Sequence, residues 1–286
     1  MHINNDTLVD MIYFILDFGN KTIVENDRLT TDINGFFSTG SVGTNITHIM
    51  QTVTLPIGMS LLACMLLMEF CMIGQRLGGD FQSGFQIPMQ QIIKTAIFVF
   101  LFSNIVVFQN AIITIGAKLA ESMSTANLAP ASTPYAIDRD AVQTTVNQLG
   151  VLDQLVLYIP TLLIYVLVFA GAKIINVIVN VRMIQIIMMM IFSPIPLAFL
   201  PNGELRGISL GYLKNFIATV LQAAVIVTAF KLFGIITQES GLMAVNGIST
   251  PQELNSSMWG MLGYLFLLLI VVLNSNKFAK SIVNAM

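Results

Sequence analysis

Residues 191–227 read IFSPIPLAFLPNGELRGISLGYLKNFIATVLQAAVIV, and their reading decides the fold. An apolar segment runs into Ser193-Pro194-Ile195-Pro196, crosses a short charged connector and enters a second apolar helix. A proline has no N–H to give and its ring clashes with the preceding turn, so two prolines one residue apart break a helix. Lipid tolerates such a break only where protein or water covers the freed backbone groups. The stretch therefore predicts an assembled, all-α, polytopic transmembrane protein with five or six spans.

Composition agrees. The chain has 286 residues, 55% of them hydrophobic and 10% charged, with a mean hydropathy of +0.80. Soluble domains carry roughly 25% charged residues. Several apolar runs reach about 20 residues, enough to cross a hydrocarbon core of about 30 Å. A net charge of −2 speaks against a nucleic-acid surface, which shows a basic stripe. The two cysteines, Cys64 and Cys71, sit seven residues apart in the first apolar run. That is too far to bridge within one helix, and they are expected to be small, buried packing residues.

Outward from the central stretch, the chain divides into three parts: an amphipathic helix and polar linker over 1–48, a transmembrane domain over 49–275 with a polar loop at 120–153, and a short basic tail at 276–286. At the N-terminus, Leu8, Ile12, Ile15 and Leu16 alternate with Asp6, Asp10 and Asp17 at helical spacing, which predicts an amphipathic helix on a membrane or a protein partner. Its acidic face suits protein at least as well as anionic lipid. Spans are expected near 51–73, 92–117, 212–237 and 258–273. The region 155–200 is nearly continuous in its apolarity; as one helix it would measure roughly 69 Å, so it is either two spans with a tight turn or one long helix that leaves the hydrocarbon.

Lys and Arg in short loops set orientation. The 203–214 connector and the tail with Lys277 and Lys280 read as cytoplasmic, and the 238–257 loop, with no Lys or Arg, as external. Six spans would put the N-terminus inside; one crossing at 155–200 would put it outside, with Arg76 and Lys94 inside and the 121–153 segment outside.

Polar residues at membrane depth are the candidate structural or channel positions, because a charge there normally faces a cavity or a partner. Pro194 and Pro196 either end a span at the interface or shape a pore wall or subunit contact. Lys173, Asn176 and Asn180 fall at i, i+3 and i+7 on one face; with Arg182 they either border a pathway or snorkel at a cytoplasmic end. Glu69 shares a face with Arg76 and reads as an interfacial ion pair or a snorkelling side chain. Gln222 and Lys231 lie within the 212–237 span, Lys231 being the more anomalous. The pairs Gly74/Gly78 and Gly207/Gly211 match close-packing spacing but fall in connectors, where turns are the default. The cluster Met188–Met190 is expected to fill core. No nucleotide loop, dinucleotide fingerprint, zinc motif or nucleophile elbow is present, so no cofactor, metal or catalytic residue is expected. His2 and His48 lie far apart.

The residues Arg182-Met183-Ile184, then Phe192 through Ala198, then Gly207-Ile208-Ser209-Leu210-Gly211-Tyr212-Leu213-Lys214 and Leu221-Gln222, resemble the TrbL-type polytopic membrane subunit of conjugative type IV secretion systems. The likeness is local, over about 155–237, and Glu204-Leu205-Arg206 stands where a tryptophan is common. The resemblance implies a non-enzymatic channel or scaffold subunit of the bacterial cytoplasmic membrane, with the N-terminus outside and the C-terminus in the cytoplasm. It also implies a homo-oligomeric ring, of which a pentamer is one form. The implied partners are other secretion-system membrane subunits and ATPases, a pilin-like subunit and membrane lipids. The implied cargo is single-stranded DNA bound to a relaxase, or protein. A secondary transporter or ion channel is the alternative, but such folds usually repeat their broken helices and only one break is visible. A holin-like protein would be much shorter.

Overall fold

The computed structural model describes residues 5–24, 41–76, 86–126, 139–148, 150–239 and 251–284, and among these every regular element is helical. The order is α1 (Asn5–Val24), α2 (Ser41–Ile49), a π-helical turn (Met50–Thr54), α3 (Leu55–Arg76), α4 (Gln86–Ser103), α5 (Ile105–Thr125), α6 (Arg139–Asn147), α7 (Val151–Phe192), the single turn α8 (Pro194–Leu197), α9 (Arg206–Glu239) and α10 (Pro251–Val283). The all-α expectation is met. Among the described residues, five stretches are long and apolar enough to cross a membrane: 43–75, 105–125, 156–192, 206–233 and 255–283.

Two span expectations are revised. The region 155–200 lies, up to its proline break, in one continuous 42-residue helix, α7 (Val151–Phe192), rather than in two helices joined by a tight turn. Pro160 sits inside it without ending it; the break comes only where two prolines fall together. The expected 92–117 span is instead two helices that meet at Asn104, and it is α5, not α4, that is long enough to cross. Asn104 holds the register through the junction. Its N–H reaches the Phe100 carbonyl at 3.2 Å, and its own carbonyl accepts from Phe108 N at 3.1 Å.

The chain forms two compact units. Unit 1 comprises 1–30, 120–180 and 224–275. Here α1 packs on α6 through Leu8, Val9, Ile12 and Ile15, all buried, and α6 offers Val142 and Val146 in return. Phe14 tilts against Tyr165 of α7 at 5.1 Å between ring centroids. Gly171 on α7 lets α10 approach: a Cβ there would meet Leu265 at 2.8 Å. Two residues of the acidic face of α1 find partners inside the same chain. Asp10 pairs with Arg139, and Asp6 accepts from Gln143 at 3.5 Å. Within the chain, α6 is the element this helix packs on. The side chains of Leu16 and Asp17 lie outside the described residues.

Unit 2 comprises 31–119, 181–223 and 276–286. Its apolar cluster of Met50, Leu62, Phe102, Ile105, Leu197 and Ala198 joins α3, α4, α5 and the turn α8. Glycine again sets the closest approaches. A Cβ on Gly58 would lie 2.7 Å from the Pro194 Cβ, and one on Gly116 would collide with Val220. Gly207 and Gly211, expected in a turn, lie in the first turns of α9 with nothing within 4 Å, and Gly74 is equally open. Gly78 lies outside the described residues. Cys64 and Cys71, expected to be buried, are both exposed on α3. Apolar small residues on a membrane helix need not face protein, because lipid is an equally apolar neighbour.

Candidate functional site: the proline break and its donor cage

The chain Met188-Met189-Met190-Ile191-Phe192-Ser193-Pro194 ends α7, and the last carbonyls of a helix have no N–H of their own to bond. Pro194 removes the donor that would have served Met190 four residues back. Side chains from three other elements fill the gap, all within unit 2. Gln109 of α5 donates through Nε2 to the Ser193 hydroxyl. That hydroxyl in turn donates to the Met190 carbonyl at 2.9 Å, where Ser193 N also points at 3.3 Å. Tyr212 of α9 donates to the Met189 carbonyl. Thr54 closes the set from the π-helical turn, its hydroxyl 2.6 Å from the Ile191 carbonyl and 3.1 Å from the Met50 carbonyl. With one proton, Thr54 serves one acceptor at a time, and the shorter contact crosses to α7.

The π turn explains why Thr54 reaches that far. Leu55 N bonds back to the Met50 carbonyl, five residues away, and the extra residue in the turn re-aims Thr54. On the other side of the break, the Ser209 hydroxyl donates to the Pro196 carbonyl at 2.6 Å. Asn202 then accepts from the N–H groups of Glu204 and Leu205 at 2.9 and 3.0 Å, tying down the entry to α9.

The break is therefore closed by protein. Ser193, Pro194, Leu197 and Ala198 are buried, and Pro196 is half-buried. Each buried donor–acceptor pair is worth about 0.5–1.5 kcal/mol net, but an orphaned partner costs about 1–3 kcal/mol, so the cage matters most for what its loss would expose. Of the Met188–Met190 cluster, only Met190 fills core; Met188 is 53% exposed.

Arg182 lies on α7 about three turns before the break and is 2% exposed. Its Nε reaches the Thr219 carbonyl at 3.2 Å and its Nη2 the Val220 carbonyl at 3.4 Å, while Nη1 finds no acceptor among the described residues. It staples α7 to α9, next to the contact where Gly116 lets α5 approach. Gln222 is buried on the same helix. Glu69 is half-buried and accepts from Gly203 N at 3.5 Å; the Arg76 side chain lies outside the described residues.

The remaining positions fall in unit 1. Lys231 donates to the Ala126 carbonyl at 2.7 Å, just past the last residue of α5. A cation at a helix C-terminus is favourable, so this apparent anomaly caps a helix. Lys173, Asn176 and Asn180 all face outward from α7. Lys173 lies 5.1 Å from the Phe169 ring, a cation–π contact along the same face. The expected sites thus separate into three groups: Pro194 and Pro196 in the cage, Arg182 in the staple, and the Lys173–Asn176–Asn180 stripe on an exposed face. Gln109 and Thr54 escape the sequence reading, and Ser193, Ser209 and Tyr212 enter it only as residues of the resemblance, without a role. Gln109 alone left a signal there, as an amide inside the apolar run 105–116.

Among the described residues no cluster of His, Cys, Asp and Glu could hold a metal ion. A family model described as TrbL/VirB6 plasmid conjugal transfer like protein matches residues 37–194, more than half of the chain. The match takes in α2 through α7 and stops at Pro194, so Thr54, Gln109 and Ser193 lie inside it and Ser209 and Tyr212 beyond it. No curated protein and no solved structure matches the chain. The chain belongs to the TrbL/VirB6 family of plasmid conjugal-transfer-like proteins, and it does so as a multi-pass, all-α membrane protein.

Proposed function

We propose that this protein is a non-enzymatic subunit of the membrane-embedded translocation complex of a conjugative type IV secretion machine. In this reading it sits in the bacterial cytoplasmic membrane as a homo-oligomeric ring and supports both the translocation path and filament assembly. ATPases, other membrane subunits and a pilin-like subunit work with it, and the cargo is relaxase-bound single-stranded DNA or protein. The observation that carries the reading is the outward-facing stripe of Lys173, Asn176 and Asn180 on an otherwise apolar helix. Val177 and Val181 beside it are 58% and 56% exposed. Polar groups are costly against lipid and belong on water or a partner. The stripe faces the water-filled path.

Contacts within each unit support one topology. Five crossings put the two ends of the helical region on opposite sides. Asn202 and Gly203 touch Met68 and Glu69 at the end of α3, and Lys214 reaches the Asn284 carbonyl at 3.3 Å. These contacts support one shared side for the connector, the end of α3 and the C-terminal tail, which the Lys/Arg distribution makes cytoplasmic. The docking of α1 on α6 supports an N-terminus on the same side as the 121–153 segment, outside.

Deletion with complementation tests the reading. Transfer between donor and recipient cells should fall below detection without the gene, and should return with the wild-type copy. Full return with the Asn176→Leu, Asn180→Leu double variant, expressed at wild-type level, would remove the stripe from the mechanism. Transfer that survives the deletion would remove the function.

A further inference from the structure

The end of α10 is closed by Asn284, whose φ of 51° lies in the left-handed region and whose N–H bonds to the Ser281 carbonyl at 3.3 Å. Asparagine tolerates that conformation and ends helices in it. The Asn284 carbonyl accepts from the Lys214 ammonium of α9 at 3.3 Å, a contact within unit 2. Lys277, Lys280 and Asn284 fall at i, i+3 and i+7, so they lie within about 60° of one another on one face of α10. Lys214 therefore reaches the end of the face that carries Lys277 and Lys280. The three cations are strung along about 10 Å of helix axis, no more than a Debye length in about 0.1 M salt, so their fields add.

No opposite charge is built in beside them. Residues 206–223 and 276–286 hold no Asp or Glu, and Arg206 adds a fourth cation about two turns before Lys214 on the same side of α9. Lys214, Lys277 and Lys280 make no ion pair among the described residues, whereas the exposed Arg139 of unit 1 has Asp10. Lys214 and Lys277 are exposed and Lys280 is half-buried. Further round the same turns of α10, Phe278 is 51% exposed and Ile282 is 68% exposed. These turns end the stretch 255–283, which is long and apolar enough to cross a membrane. A nucleic-acid strand or a free phosphate would satisfy the lysines and leave Phe278 and Ile282 in water. A lipid, with a negative head on an apolar body, satisfies both. We propose that Lys214, Lys277 and Lys280 form a headgroup site for an anionic phospholipid, with its phosphate between Lys277 and Lys280 and its apolar part against Phe278. Bound there, the lipid holds the end of α10 to α9 beside the Lys214–Asn284 contact. The site rests on the membrane reading alone and not on a role in translocation.

Brominated lipids, which quench tryptophan on contact, test the site in phosphatidylcholine vesicles holding the full chain. Trp259→Phe removes the single native tryptophan, and a reporter is placed beside the cluster by Phe278→Trp or on α4 by Phe100→Trp, where Phe100 is 71% exposed. Brominated phosphatidylglycerol should half-quench the cluster reporter at about twentyfold lower mole fraction than brominated phosphatidylcholine, about fivefold for each of Lys277 and Lys280. The α4 reporter should show no such preference. Lys277→Gln with Lys280→Gln should bring the ratio below about twofold, and Lys277→Arg with Lys280→Arg should keep it. Lys94→Gln with Lys118→Gln removes the same charge elsewhere and should leave the ratio unchanged. Equal quenching by both lipids at the cluster overturns the proposal, and so does a ratio that survives the Lys277 and Lys280 glutamine pair. A ratio lost equally in the Lys94 and Lys118 pair, or abolished by inorganic phosphate, also overturns it. Native mass spectrometry of the unsubstituted protein from phosphatidylglycerol-containing membranes covers the case in which a second copy occupies the cluster. A phosphatidylglycerol adduct that the Lys277 and Lys280 glutamine pair sheds supports the site, and its absence from the wild-type protein overturns it.

Discussion

Arg182 and Gln109 show how differently two buried polar residues can act. The carbonyls that Arg182 contacts, Thr219 and Val220, belong to the interior of α9, where backbone N–H groups four residues on already serve them. Replacing the guanidinium orphans nothing. Arg182→Met, which keeps the volume, is therefore expected to leave stability in detergent within about 1 kcal/mol of wild type or to raise it, while Arg182→Ala should cost about 2–5 kcal/mol through the cavity it leaves. Gln109 is the opposite case: its Nε2 donates to the Ser193 hydroxyl and reaches, at 3.4 Å, the Met190 carbonyl that Pro194 leaves without its donor four residues on. Gln109→Leu should cost about 1–3 kcal/mol, read as a drop in the thermal midpoint, and Thr54→Val should do the same at Ile191. Gly58→Ala belongs with them for a different reason. Its new Cβ would lie 2.7 Å from the Cβ of Pro194, and overpacking of this kind costs about 1–3 kcal/mol. The proline pair was legible as a break because proline's missing donor is a property of the residue itself. The donors to it were not, because Thr54 and Gln109 are brought to it only by tertiary packing, and Tyr212, though part of the resemblance, shows its role only there.

At the scale of elements, α1 and α6 make the clearest case for apolar burial over charge. The Asp10–Arg139 pair is more than half exposed on both sides, and such pairs contribute about 0–1 kcal/mol. Ile12 is fully buried between the helices. Hydrogen exchange across α1 should accelerate strongly in Ile12→Ala and little in Asp10→Ala; equal effects would mean that the ion pair holds the helix down. The amphipathic pattern of α1 was plain in the sequence, since alternation at helical spacing needs no tertiary information. Its docking surface was not, because α6 reads as polar loop. The same limit explains α7. Apolarity alone cannot say whether 46 residues bend once or run straight, and only the position of the double proline, late in the run, makes the single long helix natural.

For the whole molecule, the number of crossings fixes the relation between the two ends. Single cysteines at Thr133 and Ser249 should both be labelled from outside by a membrane-impermeant reagent, and a cysteine at Gly203 only after the membrane is opened. Labelling of Thr133→Cys and Gly203→Cys from the same side would contradict five crossings in this order. Orientation was partly readable from lysine and arginine placement, but the front half stayed balanced between two arrangements, because apolarity does not tell one long helix from two short ones over 155–200.

The central claim is that the proline break is sealed inside the subunit while the Lys173–Asn176–Asn180 stripe meets water, and thiol reactivity in the assembled machine tests it most directly. Donor cells carrying Ala198→Cys, Asn176→Cys or Asn180→Cys, in a background free of Cys64 and Cys71, are treated with a small charged thiol reagent and assayed for both labelling and DNA transfer. The account predicts labelling at 176 and 180 with transfer reduced, and no labelling at 198. Labelling at 198 with 176 and 180 silent would place the break on the path and the stripe away from it, and would contradict the account.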